Sequence, residues 1–417
     1  MSGTSLEDVY YLFDPKTIFG AEFFQRYYVE IEHSESNINE LKTRLELSLK
    51  TREPIKILFT GHRGSGKTTA LHRLISKLGA EFFIVHYSAF DIMDINDISY
   101  TDVLLSMLSK MLEKIDNEGL TLNEALSKRI MTWGSTIEKI EVDKETESGG
   151  ITAKISIPFL TLMGKIKTET SSKTTIRNKI EPKVSELINI INDVITEIER
   201  TTEKQVLIVI DNLEKTDPVK AIEIFYKHGT QLVQPIGKII YTFPIALKND
   251  EKFSQIGINF DKVSMHPNIK IMNKDGSTYK KGEKILIDVV SRRAPLELIE
   301  KDAMEYIIRM SGGLVRELIR IIRDSSIRAI TKGKNKIDKE IAITVVNDIR
   351  NLYRGQISEE DYIILKDIYT SKELKRDQGL VRLLHNLSVL EYRNDTDWCD
   401  VNPIVKSLLT EKGLISD

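Results

Sequence analysis

The stretch IKILFTGHRGSGKTTALHRLI, Ile55 to Ile75, limits the folds open to this chain more than any other. A short apolar strand feeds a glycine-rich loop, and the loop opens directly into an amphipathic helix. Gly61 to Thr68 satisfies G-x-x-x-x-G-K-[ST] in the context that the pattern requires. Its glycines let the backbone curl so that successive amides face one anion, and the helix N-terminus adds partial positive charge. Gly61, His62, Arg63, Gly64, Ser65, Gly66 and Thr69 are the expected contacts, with Lys67 reaching the β- and γ-phosphates and the Thr68 hydroxyl a magnesium ion. A glycine-rich turn matching by chance is the bland alternative, and the flanking strand and helix count against it. A second strand, EFFIVHYS, follows closely, so the unit reads as strand, helix, parallel strand within an α/β fold.

VLIVIDNLEKTDP, Val206 to Pro218, supplies the second constraint. Its continuous apolar run is that of a central parallel strand buried on both faces. Such a strand delivers Asp211 to its C-terminal edge, where open α/β sheets bind ligands. Standing alone the aspartate would read as a helix cap; beside Lys67 and Thr68 it reads as a magnesium ligand. Asn212 can orient water but cannot take its proton. Glu214 can, provided the turn brings it within reach; otherwise it caps the next helix in solvent. Phosphoryl transfer needs mainly positioning and charge neutralisation, so an imperfect base slows hydrolysis without abolishing it. KIIYTF places Thr242 at the tip of a neighbouring strand, where its hydroxyl either senses the γ-phosphate or is simply that of a β-branched strand residue.

A chain of 417 residues has room for two or three domains with substantial cores. The net charge of −2 advertises neither nucleic acid nor an acidic membrane. One cysteine, Cys399, excludes an intrachain disulfide and a cysteine-based zinc cluster, and fits a reducing cytoplasm. The start lacks a secretory pattern, and no apolar run approaches the about 18 residues of a membrane span. A soluble cytoplasmic protein without a membrane partner is expected.

The remaining pattern is mostly helical. Residues 1–53 form a helical lead into the core domain, which extends to 280. Within it, about 98–180 reads as an insertion, first helical and then β-rich. There Ile151, Ala153, Ile155 and Ile157 alternate with polar residues, after a turn at Gly149-Gly150. That β-rich part offers an edge for oligomers or a partner strand, or, through Lys154, Lys165, Lys167 and Lys173, a surface for nucleic acid. Residues 281–354 read as a helical lid and 355–417 as a small separate unit.

On GHRGSGKTT, VLIVIDNLEK, KIIYTF and MSGGLVRELIRII, the chain resembles the AAA+ and STAND branch of P-loop ATPases, including archaeal origin-recognition ATPases and bacterial STAND-like ATPases of regulatory and antiviral systems. The resemblance implies a P-loop NTPase sheet domain, a helical lid and a winged helix, with ATP or ADP and magnesium as cofactors and assembly into homo-oligomers. It assigns Arg316, in SGGLVREL, as a lid arginine reaching the γ-phosphate. Arg292 and Arg293 are weaker candidates for an arginine acting on a neighbouring subunit, and Ile18, Phe19 and Gly20 are implied adenine contacts. Motor-type relatives carry glutamate where Asn212 stands, which argues against fast turnover. From the residues alone, Arg316, Arg320 and Arg323 share one helix face; Arg316 is expected to enter the cleft and the other two to face solvent or a neighbour.

The last unit resembles a winged helix, read as three short helices and then a hairpin carrying Trp398 as its apolar anchor. Residues 355–417 hold eight Lys or Arg against twelve Asp or Glu, which opposes phosphate binding. Its candidate reading helix offers only Arg382 and His385, so protein docking is favoured over DNA. The preferred reading is a slow ATP-dependent switch that controls assembly or docking of a protein effector. The alternatives are a DNA-binding initiator or loader, and a structural nucleotide binder without useful hydrolysis.

Overall fold

The computed structural model describes residues 5–15, 21–137, 153–375, 378–393 and 396–416. Five strands, β1 (Lys56–Gly61), β2 (Phe82–Ser88), β3 (Gln205–Asp211), β4 (Lys238–Pro244) and β5 (Lys262–Met265), form one parallel sheet in the order β2-β3-β4-β1-β5. Pairing is parallel throughout, so Gly61 sits beside Pro244 and Ser88 beside Asp211 at a common C-terminal edge. The two strands of the sequence-predicted β–helix–β unit are parallel but not neighbours, because β3 and β4 lie between them. That order sets the tip of β4 between the loop strand and the Asp211 strand.

Both sheet faces are buried, as the apolar runs require. Ile57, Phe59, Leu207, Val209 and Ile240 pack with the helices Glu32–Thr51 and Lys67–Lys77. The alternate residues, including Leu58, Ile208, Ile210 and Tyr241, join a larger core with the helix Val184–Thr202.

The β-rich insertion is corrected to helix: Ala153–Thr168 and Thr170–Ile180 are both helical. The apparent alternation was too short to define a strand, and the residues after it recur at helical spacing. Phe159, Leu162, Met163 and Ile166 are all buried, and Phe159 stacks on Trp133 with ring centroids 6.2 Å apart. Pro158 lies in the second turn, where it costs the helix one amide bond. Gly149, Gly150 and Ile151 lie outside the described residues, as does the side chain of Lys154. No strand is present at 153–180 to accept a partner strand. Lys167 instead donates to the Asp91 carbonyl at 2.6 Å, and buried Lys173 pairs with Asp94 at 2.8 Å and Asp97 at 3.0 Å.

Helices Lys280–Ser291, Lys301–Met310, Val315–Thr331 and Lys339–Arg354 follow the sheet. Helix Leu6–Leu12 packs on Val315–Thr331, where the Arg323 guanidinium lies 4.4 Å from the Tyr10 ring centroid. Arg323 is therefore partly covered by the N-terminal helix rather than fully open to solvent, while Arg320 reaches Glu317 on its own helix at 3.6 Å. The C-terminal unit is helix Glu359–Ser371, helix Gln378–His385, an antiparallel hairpin of β6 (Val389–Arg393) and β7 (Asp397–Val401), and helix Pro403–Glu411. Two helices precede the hairpin, and the third follows it. Trp398 is buried against Tyr392, with centroids 4.9 Å apart. Among the described residues no helix is long and apolar enough to cross a membrane.

The helical insertion makes a prediction opposite to the strand reading. Phe159→Ala is expected to lower unfolding free energy by about 3–5 kcal/mol. Ile157→Ser, at a position 47% exposed, is expected to change it by no more than about 0.5 kcal/mol. Urea unfolding of both variants checks this; a strand with Ile157 inward would give a large loss at Ile157.

Candidate nucleotide and magnesium site

The glycine-rich loop is held in shape by close approaches. Gly64 has φ +84°, and a Cβ there would meet the Arg316 Cβ at 2.8 Å, so only glycine lets the lid helix come this near. The Arg316 amide donates to the Gly64 carbonyl at 3.1 Å. His266, just beyond β5, donates from Nε2 to the Ser65 carbonyl at 3.1 Å, and its Nδ1 lies 3.3 Å from the Ser34 hydroxyl. Burial pushes its pKa down to about 4, so the ring is a neutral brace.

Lys67 is buried, and its Nζ donates to the carbonyls of Gly61 at 3.0 Å and His62 at 2.9 Å. Its charge is met by Glu214 Oε1 at 3.2 Å. Glu214 reaches that position because Asn212 adopts the left-handed region at φ +66°, which asparagine tolerates better than most residues. The Asn212 amide donates to Asp211 Oδ1 at 2.7 Å and its side chain to the Ser88 hydroxyl at 2.9 Å. Asn212 is thus a turn residue, and the short helix Leu213–Lys215 carries Glu214 back over the loop.

Thr242 supports this turn from behind. Its hydroxyl accepts from the Leu213 amide at 2.9 Å and lies 3.2 Å from the Ile210 carbonyl. It is fully buried and does not line the phosphate cavity, so its contact is with Glu214 and the turn.

The two carboxylates have opposite surroundings. Burial opposes ionisation of Glu214, but Lys67 and the Thr242 hydroxyl outweigh it and hold the group below the usual carboxylate range. Its second oxygen, Oε2, is buried without a partner among the described residues. Burial and the nearby Glu214 charge push Asp211 up to about 6, against the pull of the Thr68 hydroxyl. Among the described residues Asp211 has no ion-pair partner within 4.0 Å. A buried carboxylate bonded to a hydroxyl and lacking a cation partner fits magnesium, which takes few protein ligands and completes its shell with phosphate and water. Thr68 and Asp211 are the residues that would hold it.

Two adjoining cavities, of about 80 and 70 Å³, run from the loop to the N-terminal segment. Lys67, Thr68, Glu214, Arg316 and Pro15 line the first. Tyr27, Tyr28, Val29, Ile31 and His266 line the second, and Arg293 borders both. Ile18, Phe19 and Gly20 lie outside the described residues. Arg293 is buried, donates to the Val289 carbonyl at 2.8 Å and stands 5.3 Å from the Tyr27 ring centroid. Burial lowers its pKa to about 10. A side chain enclosed in this way cannot reach a neighbouring subunit, which corrects one of the two assignments; Arg292 is exposed, 3.5 Å from the Arg26 carbonyl.

Larger cavities, one of about 410 Å³ around Met272, Glu305 and Arg309 and one of about 560 Å³ around Arg328 and Leu352, contain none of the loop or carboxylate residues. Sequence reasoning missed His266 and the tyrosine pair, and assigned Arg293 to a neighbouring subunit rather than to this cavity. A lone histidine after a four-residue strand carries no periodic signal, whereas the aromatic run FFQRYY preceding a helix was visible.

Residues 35–241 match the model of the KAP family P-loop domain, a span that contains the glycine-rich loop and Asp211. The chain therefore carries a P-loop NTPase domain on a five-stranded parallel sheet. Among solved structures it is similar to Cdc6p from Pyrobaculum aerophilum, at 14% identity over 96% of this chain and 98% of that one, with a TM-score of 0.42. It is also similar to the Aeropyrum pernix ORC2 protein, at 11% identity over 97% and 98%, TM-score 0.43. The Thermotoga maritima RuvB Holliday junction branch migration motor matches at 13% identity over 97% and 100%, TM-score 0.39. No curated protein matches the chain.

Proposed function

We propose that this P-loop NTPase is a slow ATP-dependent switch whose nucleotide state sets how the Arg316 lid, and with it assembly or partner docking, is held. The observation that carries the reading is the buried Lys67–Glu214 pair at 3.2 Å beside Asp211, a carboxylate without an ion pair of its own among the described residues. A triphosphate replaces Glu214 as the counter-charge of Lys67. Magnesium held by Thr68 and Asp211 supplies neutralisation of the phosphate charge. Glu214, released from Lys67, takes a proton from water at Oε2, the oxygen without a partner among the described residues. That water's oxygen bonds to the γ-phosphorus as the bond to the β–γ bridging oxygen breaks, leaving ADP and phosphate. While paired with Lys67 the carboxylate is held below its usual range and is a weak base, so it serves as a base only once phosphate has displaced it.

Cavity size supports the switch. The two adjoining spaces of about 80 and 70 Å³ fall well short of the about 300–1,000 Å³ of a ligand pocket. The Arg316 helix borders both spaces, with Pro15 walling the first and Tyr27 the second, so a nucleotide held there would contact the lid and link occupancy to lid motion. Surfaces freed by that motion are where a second copy of this chain or a protein effector would dock. DNA loading is disfavoured by helix Gln378–His385, where Arg382 pairs with buried Asp361 at 2.8 Å and His385 meets Arg63 of the core.

Purified protein assayed for ATP hydrolysis is expected to show slow turnover that DNA does not stimulate; strong stimulation by DNA would refute the switch. Lys67→Ala, checked as folded by circular dichroism, is expected to lose ATP binding in calorimetry. Glu214→Gln is expected to slow hydrolysis about 10²–10⁴-fold while retaining ATP, and unchanged turnover would remove Glu214 as the base. Arg316→Ala is expected to reduce the preference for ATP over ADP about tenfold, read as the ratio of the two Kd values.

A further inference from the structure

Two side chains of the phosphate loop are tied to the C-terminal unit. His62 Nε2 accepts from the Glu391 amide at 2.6 Å, in the middle of β6. Arg63 donates from Nη2 to two acceptors, the Lys215 carbonyl at 2.8 Å and His385 Nε2 at 2.8 Å. A guanidinium has no acceptor, so His385 must present a lone pair at Nε2 and carry its proton on Nδ1. Its ring is neutral, burial and the adjacent Arg63 charge lowering its pKa to about 4.

The first tether fixes where β6 meets the loop, and the second reaches the base. Lys215 is the last residue of the Leu213–Lys215 turn and directly follows Glu214. That turn is short, held by Lys215 N to the Asn212 carbonyl at 3.2 Å, Thr216 N to the Leu213 carbonyl at 3.1 Å and the Thr242 contact. Arg63 anchors its far end to the loop and is itself steered by His385. The seat of His385 rests on further contacts between its unit and the core: Gln378 donates to Asp250 at 3.1 Å and Lys248 reaches Asp397 at 3.1 Å.

We propose that His385 is a positioning residue of the nucleotide site, acting through Arg63 on the turn that aims Glu214. This rests on the reading that the site hydrolyses ATP, and it adds that the C-terminal unit supplies part of the geometry for that step. A partner that lifts this unit off the core removes His385 from Arg63, loosens the Glu214 turn and prolongs the ATP state. Since Lys67 and Thr68 do not depend on His385, the effect falls on hydrolysis far more than on binding.

The test is single-turnover hydrolysis of bound ATP, a rate independent of the folded fraction, together with ATP Kd by calorimetry. His385→Leu keeps bulk but removes the acceptor, and is expected to slow the single-turnover rate about tenfold or more with Kd within about threefold of wild type. His385→Gln, whose amide oxygen can accept from Arg63, is expected to recover most of the rate. A His385→Leu rate equal to wild type overturns the positioning role while leaving the ATPase reading intact. Equal losses in the Leu and Gln variants overturn it too, because packing alone would then account for the effect. Wild-type protein that binds ATP and never hydrolyses it defeats the ATPase reading and this inference together.

Discussion

A lysine and a glutamate, both almost fully buried and 3.2 Å apart, organise the centre of this molecule. Removing two such charges from water costs several kcal/mol per ion, and their attraction offsets this only when the remaining hydrogen-bonding groups are also met. Here the Gly61 and His62 carbonyls take up the ammonium, and the turn after β3 presents the carboxylate. Those groups come from β1 and β3, with Thr242 of β4 bracing the turn between them. The pair therefore ties the three central strand ends to one another. Breaking it without a replacement anion strands a buried charge, at about 3–5 kcal/mol. A bound phosphate is such a replacement, which is why the same pair can stabilise one state and yield to another.

The neighbouring carboxylates gain different chemistry from a few ångströms of difference in surroundings. Asp211 sits behind the turn with a hydroxyl and an amide but no cation, and burial raises its pKa to about 6. Glu214 sits on the lysine and is held low. Their surroundings thus divide the two groups, raising the one and lowering the other. Asn212 makes the division workable: its left-handed backbone, rather than its amide chemistry, turns the chain so that the acid two positions later re-enters the site.

The loop, the β3 strand and Asp211 were readable because each is a local pattern with a physical rationale that holds over a few residues. Val206–Ile210 is apolar throughout and proves buried throughout. Helix 153–168 was misread where local pattern and tertiary packing diverge: odd positions up to Ile157 alternate like a strand, while Phe159 to Ile166 follow the helical repeat that packs against Trp133. β5 offered only four residues, and two of them, Lys262 and Ser264, are polar, so no period could declare it. Arg293 was recognised as chemically interesting but assigned outward; nothing in SRRAP reveals that its guanidinium is enclosed by Tyr27, which lies far away in sequence.

The least legible residues were those the motif leaves unspecified. In G-x-x-x-x-G-K-[ST] the amides at the x positions face the phosphates, so their side chains must point away from the anion and are free to vary. That freedom is what allows His62 and Arg63 to reach the Glu391 amide and His385. His62 and Arg63 thus leave their amides on the loop while their side chains reach the C-terminal unit. A change in loop curvature would be felt by both sides. The coupling needs no moving wire through the core, only that one stiff loop be clamped from two sides.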